Sequence, residues 1–296
     1  MTSFSRKDLI LLALLTIGWS INWPIMKLGV TDFPPLTFRV LSMLGGLPVL
    51  WIAARMQGAP LAIPAGRMMD VIKLTLPNML VWHMFMILSV KMLSSGRAAI
   101  LGYTMPVWAV LSGLLFFGDR IDRIGWLGVT CALGGALLLL SSEFSAFSGS
   151  PLGTLSALLA AAGWGLGTVM LKRARIEMPT ISLTFWMVLL AALAMGVAAF
   201  VIEGAQWRWP GIAAWGAILY NALIVFGFAH VVWFQLARTL PPVASSLSIM
   251  MIPVLGVFCG AWILGESLRW QDYGAMLLIV LAMSTVLLKP APRGHR

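Results

Sequence analysis

The sequence predicts an all-α membrane protein, with ten transmembrane helices arranged as two inverted five-helix repeats in a single membrane domain over residues 1–296. Three observations predict it. Of 296 residues, 60% are hydrophobic and 10% charged, with a mean hydropathy of +0.95. The apolar residues gather into ten uncharged runs, each near the length needed to cross hydrocarbon. The second half of the chain also repeats chemistry of the first half at a nearly fixed offset.

Composition comes first because it sets the solvent. A soluble domain is about a quarter charged, since water must wet its surface. This chain has too little polar surface to cover its apolar content in water, so lipid is the solvent for most of it. The formal charge of +10 does not point to a nucleic-acid partner, because the 20 Lys and Arg residues stand singly or in pairs between apolar runs. No basic stripe or arm is formed. Scattered in this way, they read as topology signals and membrane-surface anchors. Cys131 and Cys259 lie inside apolar runs, where cysteine behaves as a small hydrophobe. Arg6 and Lys7 precede an apolar run that resembles a signal peptide, but it continues through Trp19, Asn22 and Trp23 without a small-residue cleavage site. It is read as a retained first span.

A crossing helix needs about 20 residues. The runs are Leu9–Met26, Val40–Ala54, Leu74–Val90, Ala98–Gly118, Ile124–Ser142, Phe144–Leu171, Met178–Ile202, Trp209–Ala237, Thr239–Gly265 and Tyr273–Leu288. With the N-terminus inside, 14 Lys and Arg residues fall on the cytoplasmic side. Only Lys27, Arg39, Lys91, Arg97, Arg208 and Arg269 fall on the other. The excess of basic residues on the inner side predicts that both termini are cytoplasmic.

An offset of 147 residues pairs His83 with His230, Lys91 with Arg238, Pro106 with Pro253, Gly118 with Gly265 and Asp119 with Glu266. A proline, eleven residues and then Gly-[Asp/Glu] closes a span in each half. An offset of 145 pairs Gly18-Trp19 with Gly163-Trp164. The repeats are assigned to residues 1–143 and 144–296. Five crossings per half insert the second half upside down. Inverted repeats of this kind bind a solute near the midplane and expose it to each side in turn.

These residues resemble the EamA-type family of the drug/metabolite transporter superfamily. The likeness is carried by the ten spans, the Gly-Trp element opening each half and the paired Pro-x11-Gly-[Asp/Glu] elements. Arg39 early in the second span also matches the family's pattern. Within the family the chain most resembles the YddG-like amino-acid exporters. That resemblance implies export of amino acids, aromatic ones included, across an inner membrane.

The pathway candidates are the polar and aromatic groups inside the spans. Met79, Trp82, His83 and Met86 share one helical face, bordered by Asn78. Trp19, Asn22, Trp23 and Met26 repeat that spacing in the first span. Tyr103, Trp164, Trp186, Asn221 and His230 complete the set. The substrate-binding expectation names Trp19, Asn22, Asn78, Trp82, His83, Tyr103, Trp164, Trp186, Asn221 and His230. Each has a plainer role available, since Trp and Tyr form interfacial belts and a histidine often satisfies a neighbouring carbonyl. Trp207, Trp209 and Trp270 are assigned to such a belt.

All ten acidic residues fall between spans or at their ends, so a pump built on a mid-membrane carboxylate is disfavoured. A lining of rings, thioethers and hydrogen-bonding tips with little fixed charge suits a small zwitterion. Phosphorylated sugars would want basic residues deep in the pathway, and none is expected there. No His-Glu-x-x-His, Gly-x-Ser-x-Gly or Gly-x-Gly-Asp element occurs, so an enzyme is not expected, nor a metal or cofactor. The expected partners are a small-molecule substrate of the amino-acid class and the lipid bilayer. The oligomeric state is left open, and a monomer is compatible with the reading. Export of drugs, nucleosides or other small metabolites is the alternative.

Overall fold

The computed structural model describes residues 6–145, 150–174, 176–229, 232 and 242–287, and every regular element among them is helical. The first helices are α1 (Arg6–Thr31) and α2 (Pro35–Met56). A composite rod follows, made of α3 (Met68–Thr75), a π-helical stretch (Leu76–Val81) and α4 (Trp82–Met92). Next come α5 (Ser95–Gly102), α6 (Met105–Phe117), α7 (Arg123–Ser145), α8 (Pro151–Arg173) and α9 (Thr180–Glu203). A second composite rod joins α10 (Ile212–Tyr220) to a π-helical stretch (Asn221–Ala229), followed by α11 (Pro242–Leu264) and α12 (Trp270–Leu287). Among the described residues, eight helical segments from Ile10–Thr31 to Ile212–Ala229 are long and apolar enough to span a membrane.

The irregularities have local causes. Pro77 lacks the N–H that would continue the α ladder, and the helix widens there into the π stretch. Pro106 also lacks an N–H, but here it stands in the first turn of α6 and the chain breaks before it, at Tyr103–Thr104. The amide of Thr104 donates to Leu101 O at 3.1 Å, and its hydroxyl donates there at 2.7 Å. Pro253, the counterpart of Pro106, sits inside the continuous α11. The shared proline therefore breaks one helix and is absorbed in the other.

The Gly-[Asp/Glu] element has one geometry in both halves. Gly118 and Gly265 take the left-handed conformation, at φ +70° and +67°, which a side chain would resist. The next amide bonds back to a glycine carbonyl six positions earlier, Asp119 to Gly113 O and Glu266 to Gly260 O. Each left-handed glycine thus turns the chain so that the following amide satisfies a carbonyl at the helix end.

Packing joins α1 to α11, α2 to α9, α4 and α6 to α8, and α7 to α12. Small residues make the closest approaches. A Cβ at Gly165 would lie 2.6 Å from Ala109 N, and one at Gly167 would lie 2.5 Å from the Asn78 carboxamide. The Gly-Trp-Gly-Leu-Gly run is thus the packing surface of α8, as small residues in spans predict.

One face of the bundle is tied across elements. Lys27 and Lys91 join the ends of α1 and α4, and Glu203 reaches the start of α2. Glu266 reaches the start of α5, and Arg97 pairs with Asp272 at 2.7 Å with both side chains buried. The opposite face carries the exposed pair Arg173–Asp119, of a type worth at most about 1 kcal/mol.

Candidate functional site

Aromatic and polar side chains from four rods meet at one depth. Counted from the Lys27 face, Trp23 stands eight residues from Thr31 and Tyr103 eight from Ser95. His83 stands nine from Met92, and Asn221 nine from Ile212. At about 1.5 Å per residue these depths are roughly 12–14 Å. That is close to the middle of a hydrocarbon layer about 30 Å thick.

Gly102, at the end of α5, is where the rings converge. A Cβ there would lie 3.1 Å from the Trp23 ring, 3.5 Å from the Trp82 ring and 3.0 Å from Met86 Cε. Trp23 meets Tyr103 edge-on at 6.2 Å between centroids. Trp82 meets Trp164 of α8 at 5.1 Å and 56°. The break after Gly102 places Tyr103 at this level, with its ring buried. Paired rings of this kind gain about 0.5–1.5 kcal/mol beyond their burial.

A second group adjoins the first through α1 and α4. His83 packs on Phe226 at 5.2 Å, and Phe226 lies 6.0 Å from the guanidinium carbon of Arg39. Arg39 donates from Nη1 to Asn221 Oδ1 at 3.2 Å and from Nη2 to Met26 Sδ at 2.7 Å. Asn221 holds its own position by donating from Nδ2 to Ala217 O at 3.0 Å.

The expected residues therefore separate. Trp82, His83, Tyr103, Trp164 and Asn221 join these two groups, and Asn22 is buried one turn below Met26 on α1. Trp19 lies deeper and packs toward Leu15, Ala229 and Val232. Asn78 donates to Leu74 O at 2.9 Å and faces Gly167, which makes it part of the α8 contact. Trp186 donates from Nε1 to Leu61 O at 2.6 Å, in the connection between α2 and α3 on the Arg173 face. These two make packing and connection contacts outside the aromatic pairs. His230 lies outside the described residues.

One expectation is corrected. The interior is not free of fixed cations, because Arg39 is 2% exposed and its guanidinium reaches Asn221. The residue lies near the start of α2, so its position along the chain marks it as an end anchor. Its long side chain points inward instead. Trp23, Phe226 and Gly102 were also outside the expected set. Trp23 carried a usable signal in its spacing with Asn22 and Met26, whereas nothing local distinguishes Phe226. Two cavities, of about 400 and 340 Å³, open beside Asp119–Asp122 and beside Trp207–Pro210, and neither reaches the layer.

Comparison with known proteins places the chain. The model of the EamA-like transporter family matches residues 6–141 and again 151–288. The uncharacterised transporter YoaV of Bacillus subtilis is 28% identical over 89% of this chain and 91% of its own length. A probable amino-acid metabolite efflux pump of Escherichia coli is 24% identical over 93% of each. A solved crystal structure superposes with a TM-score of 0.66 over 96% of this chain and 99% of its own, at 21% identity, a likeness of fold.

Proposed function

Because the chain belongs to the EamA-like transporter family of multi-pass membrane proteins, we propose that it is a secondary transporter exporting amino acids, aromatic and other neutral ones, across the inner membrane by alternating access. The observation that carries the reading is the convergence of Trp23, Trp82 and Tyr103 around Gly102 at mid-depth. Rings and thioether at that level give an adaptable apolar wall, and His83, Asn221 and Arg39 give it polar tips. The efflux pump of Escherichia coli is named for amino-acid metabolites, which favours the same substrate class. Within the family, the likeness to the YddG-type exporters points the same way.

The architecture proposed with it is ten spans in two inverted repeats, residues 1–143 and 144–296. The double match of the family model supports this. The two π stretches support it too, since Leu76–Val81 moved by 147 residues falls inside Asn221–Ala229. Packing is also consistent with exchange of the halves, because α1 lies on α11 as α8 lies on α6. The distribution of Lys and Arg supports cytoplasmic termini with the Lys27 face outside.

The test is uptake into proteoliposomes, with labelled aromatic amino acids set against drugs and nucleosides. Phenylalanine should enter, and His83→Ala and Trp164→Ala should each slow it several-fold with the protein still monodisperse. Entry of nucleosides or drugs with amino acids excluded replaces the reading.

A further inference from the structure

Among the described cations on the tied face, Arg39 alone is buried without a neutralising or saturating set of described partners. Arg97 has Asp272, and the lysines have several backbone carbonyls each. Arg39 has no carboxylate of the described residues within salt-bridge reach. Its donors meet one amide oxygen and one thioether, its Nε meets no acceptor among the described residues, and the Phe38 and Phe226 ring centroids lie 5.9 and 6.0 Å from its guanidinium carbon. A charge kept unpaired in hydrocarbon is costly and marks a functional position.

The complementary defect lies one turn away. Asn22 is 8% exposed, and its Oδ1 accepts from no donor among the described residues. Residues four apart share a helix face, so Asn22 lies beneath Met26, the residue that receives Arg39 Nη2. A guanidinium short of an acceptor and a carbonyl oxygen short of a donor thus flank the same turn of α1. The aromatic layer borders that turn through Trp23.

We propose that Arg39 and Asn22 are the two poles of a zwitterion site, with Arg39 binding the substrate carboxylate and Asn22 Oδ1 its ammonium. The proposal rests on the amino-acid reading above and deepens it, because it assigns the backbone groups of the substrate while the aromatic layer takes the side chain. The planar guanidinium suits a carboxylate as a two-pronged donor, whereas a lysine offers only a point charge.

The experiment is counterflow of labelled phenylalanine in proteoliposomes holding the full chain, in competition with phenylalaninamide and with 3-phenylpropionate. The wild type should prefer phenylalanine over each by about tenfold or more, the order expected when a charge-assisted bond is lost. Arg39→Gln should bring phenylalanine level with the amide, and Arg39→Lys should keep part of the preference. Asn22→Ala should erase the preference over phenylpropionate and leave that over the amide. Wild-type ratios in Arg39→Gln or Asn22→Ala overturn the corresponding pole, while amino-acid transport itself stands.

If the wild type refuses amino acids but takes phenylpropionate through Arg39, the amino-acid reading and the Asn22 pole fall and the carboxylate pole survives. Should Arg39→Gln fail to fold, thermal melts of the wild type decide. Stabilisation by phenylalanine and not by its amide supports the site, and equal stabilisation by both overturns it.

Discussion

Lys27 and Lys91 each close the other's helix. The Lys27 ammonium donates to the carbonyls of Val90, Lys91 and Leu93 at the end of α4. The Lys91 ammonium donates to Val30 O and Thr31 O at the end of α1, at 2.5 and 2.7 Å. Last-turn carbonyls lack helical partners and carry the negative end of the helix dipole, so cations are well placed there. Lys27→Met and Lys91→Met should each lower stability by about 1–3 kcal/mol. The double variant should lose less than the sum, since both act on one helix pair. Denaturant unfolding in detergent measures this, and strict additivity would mean that the two capping interactions are independent.

Glu203 is buried and accepts from Leu36 N, Thr37 N and the Thr37 hydroxyl, at 2.7–2.8 Å. It serves as the N-cap that Pro34 does not provide, because no side-chain cap forms at that position. Glu203→Gln replaces one oxygen by a donor facing other donors. The expected loss is about 1–3 kcal/mol, read as a lowered midpoint in a thermal melt with the wild-type helical content retained. An unchanged midpoint would show that solvent or lipid replaces the cap.

Gly102 leaves the space into which Trp23, Trp82 and Met86 project. Gly102→Ala makes Met86 give way, while Gly102→Val presses on the Trp23 ring as well. Transport of tryptophan should fall before transport of alanine, by several-fold in the valine variant, with folding intact. An equal fall for both substrates would place Gly102 in the scaffold and not in the pathway.

Among the described residues of the layer, His83 is the side chain whose ordinary pKa is close to neutrality. No aspartate or glutamate of the described residues shares that depth, so substrate exchange should run at equal pH on both sides without a proton gradient. A cell with excess amino acid already supplies the gradient for export. The contrary outcome is poor exchange at equal pH, together with accumulation after a pH jump that His83→Gln and His230→Gln abolish.

The eight spans among the described residues were legible because a charge-free run in lipid has few options other than a helix. The Gly118 and Gly265 stops were legible too, since Gly-[Asp/Glu] after an apolar run names its own turn. Pro106 and Pro253 show the limit. The same residue in the same slot breaks α5 from α6 but stays within α11, and the difference comes from neighbouring helices. The contacts of Arg39 and Trp186 escape the sequence for another reason. Their roles are set by partners 182 and 125 residues away, and no local spacing encodes such a contact. His83 and Tyr103 could be singled out as polar groups in apolar runs, but their meeting with Phe226 and Trp23 is a property of packing.

The tie from Glu203 to the start of α2 also orders events during synthesis. Leu36 and Thr37 leave the ribosome 167 and 166 residues before the carboxylate that receives their amides. Ser95 waits 171 residues for Glu266, and Arg97 waits 175 for Asp272. The early helices are made before these caps exist, so water at the membrane surface serves the donors until the later helices arrive. Nascent chains stalled before residue 203 should therefore be bound by quality-control proteases far more readily than chains stalled after residue 272, and the full-length protein should gain its resistance in two steps as those residues emerge.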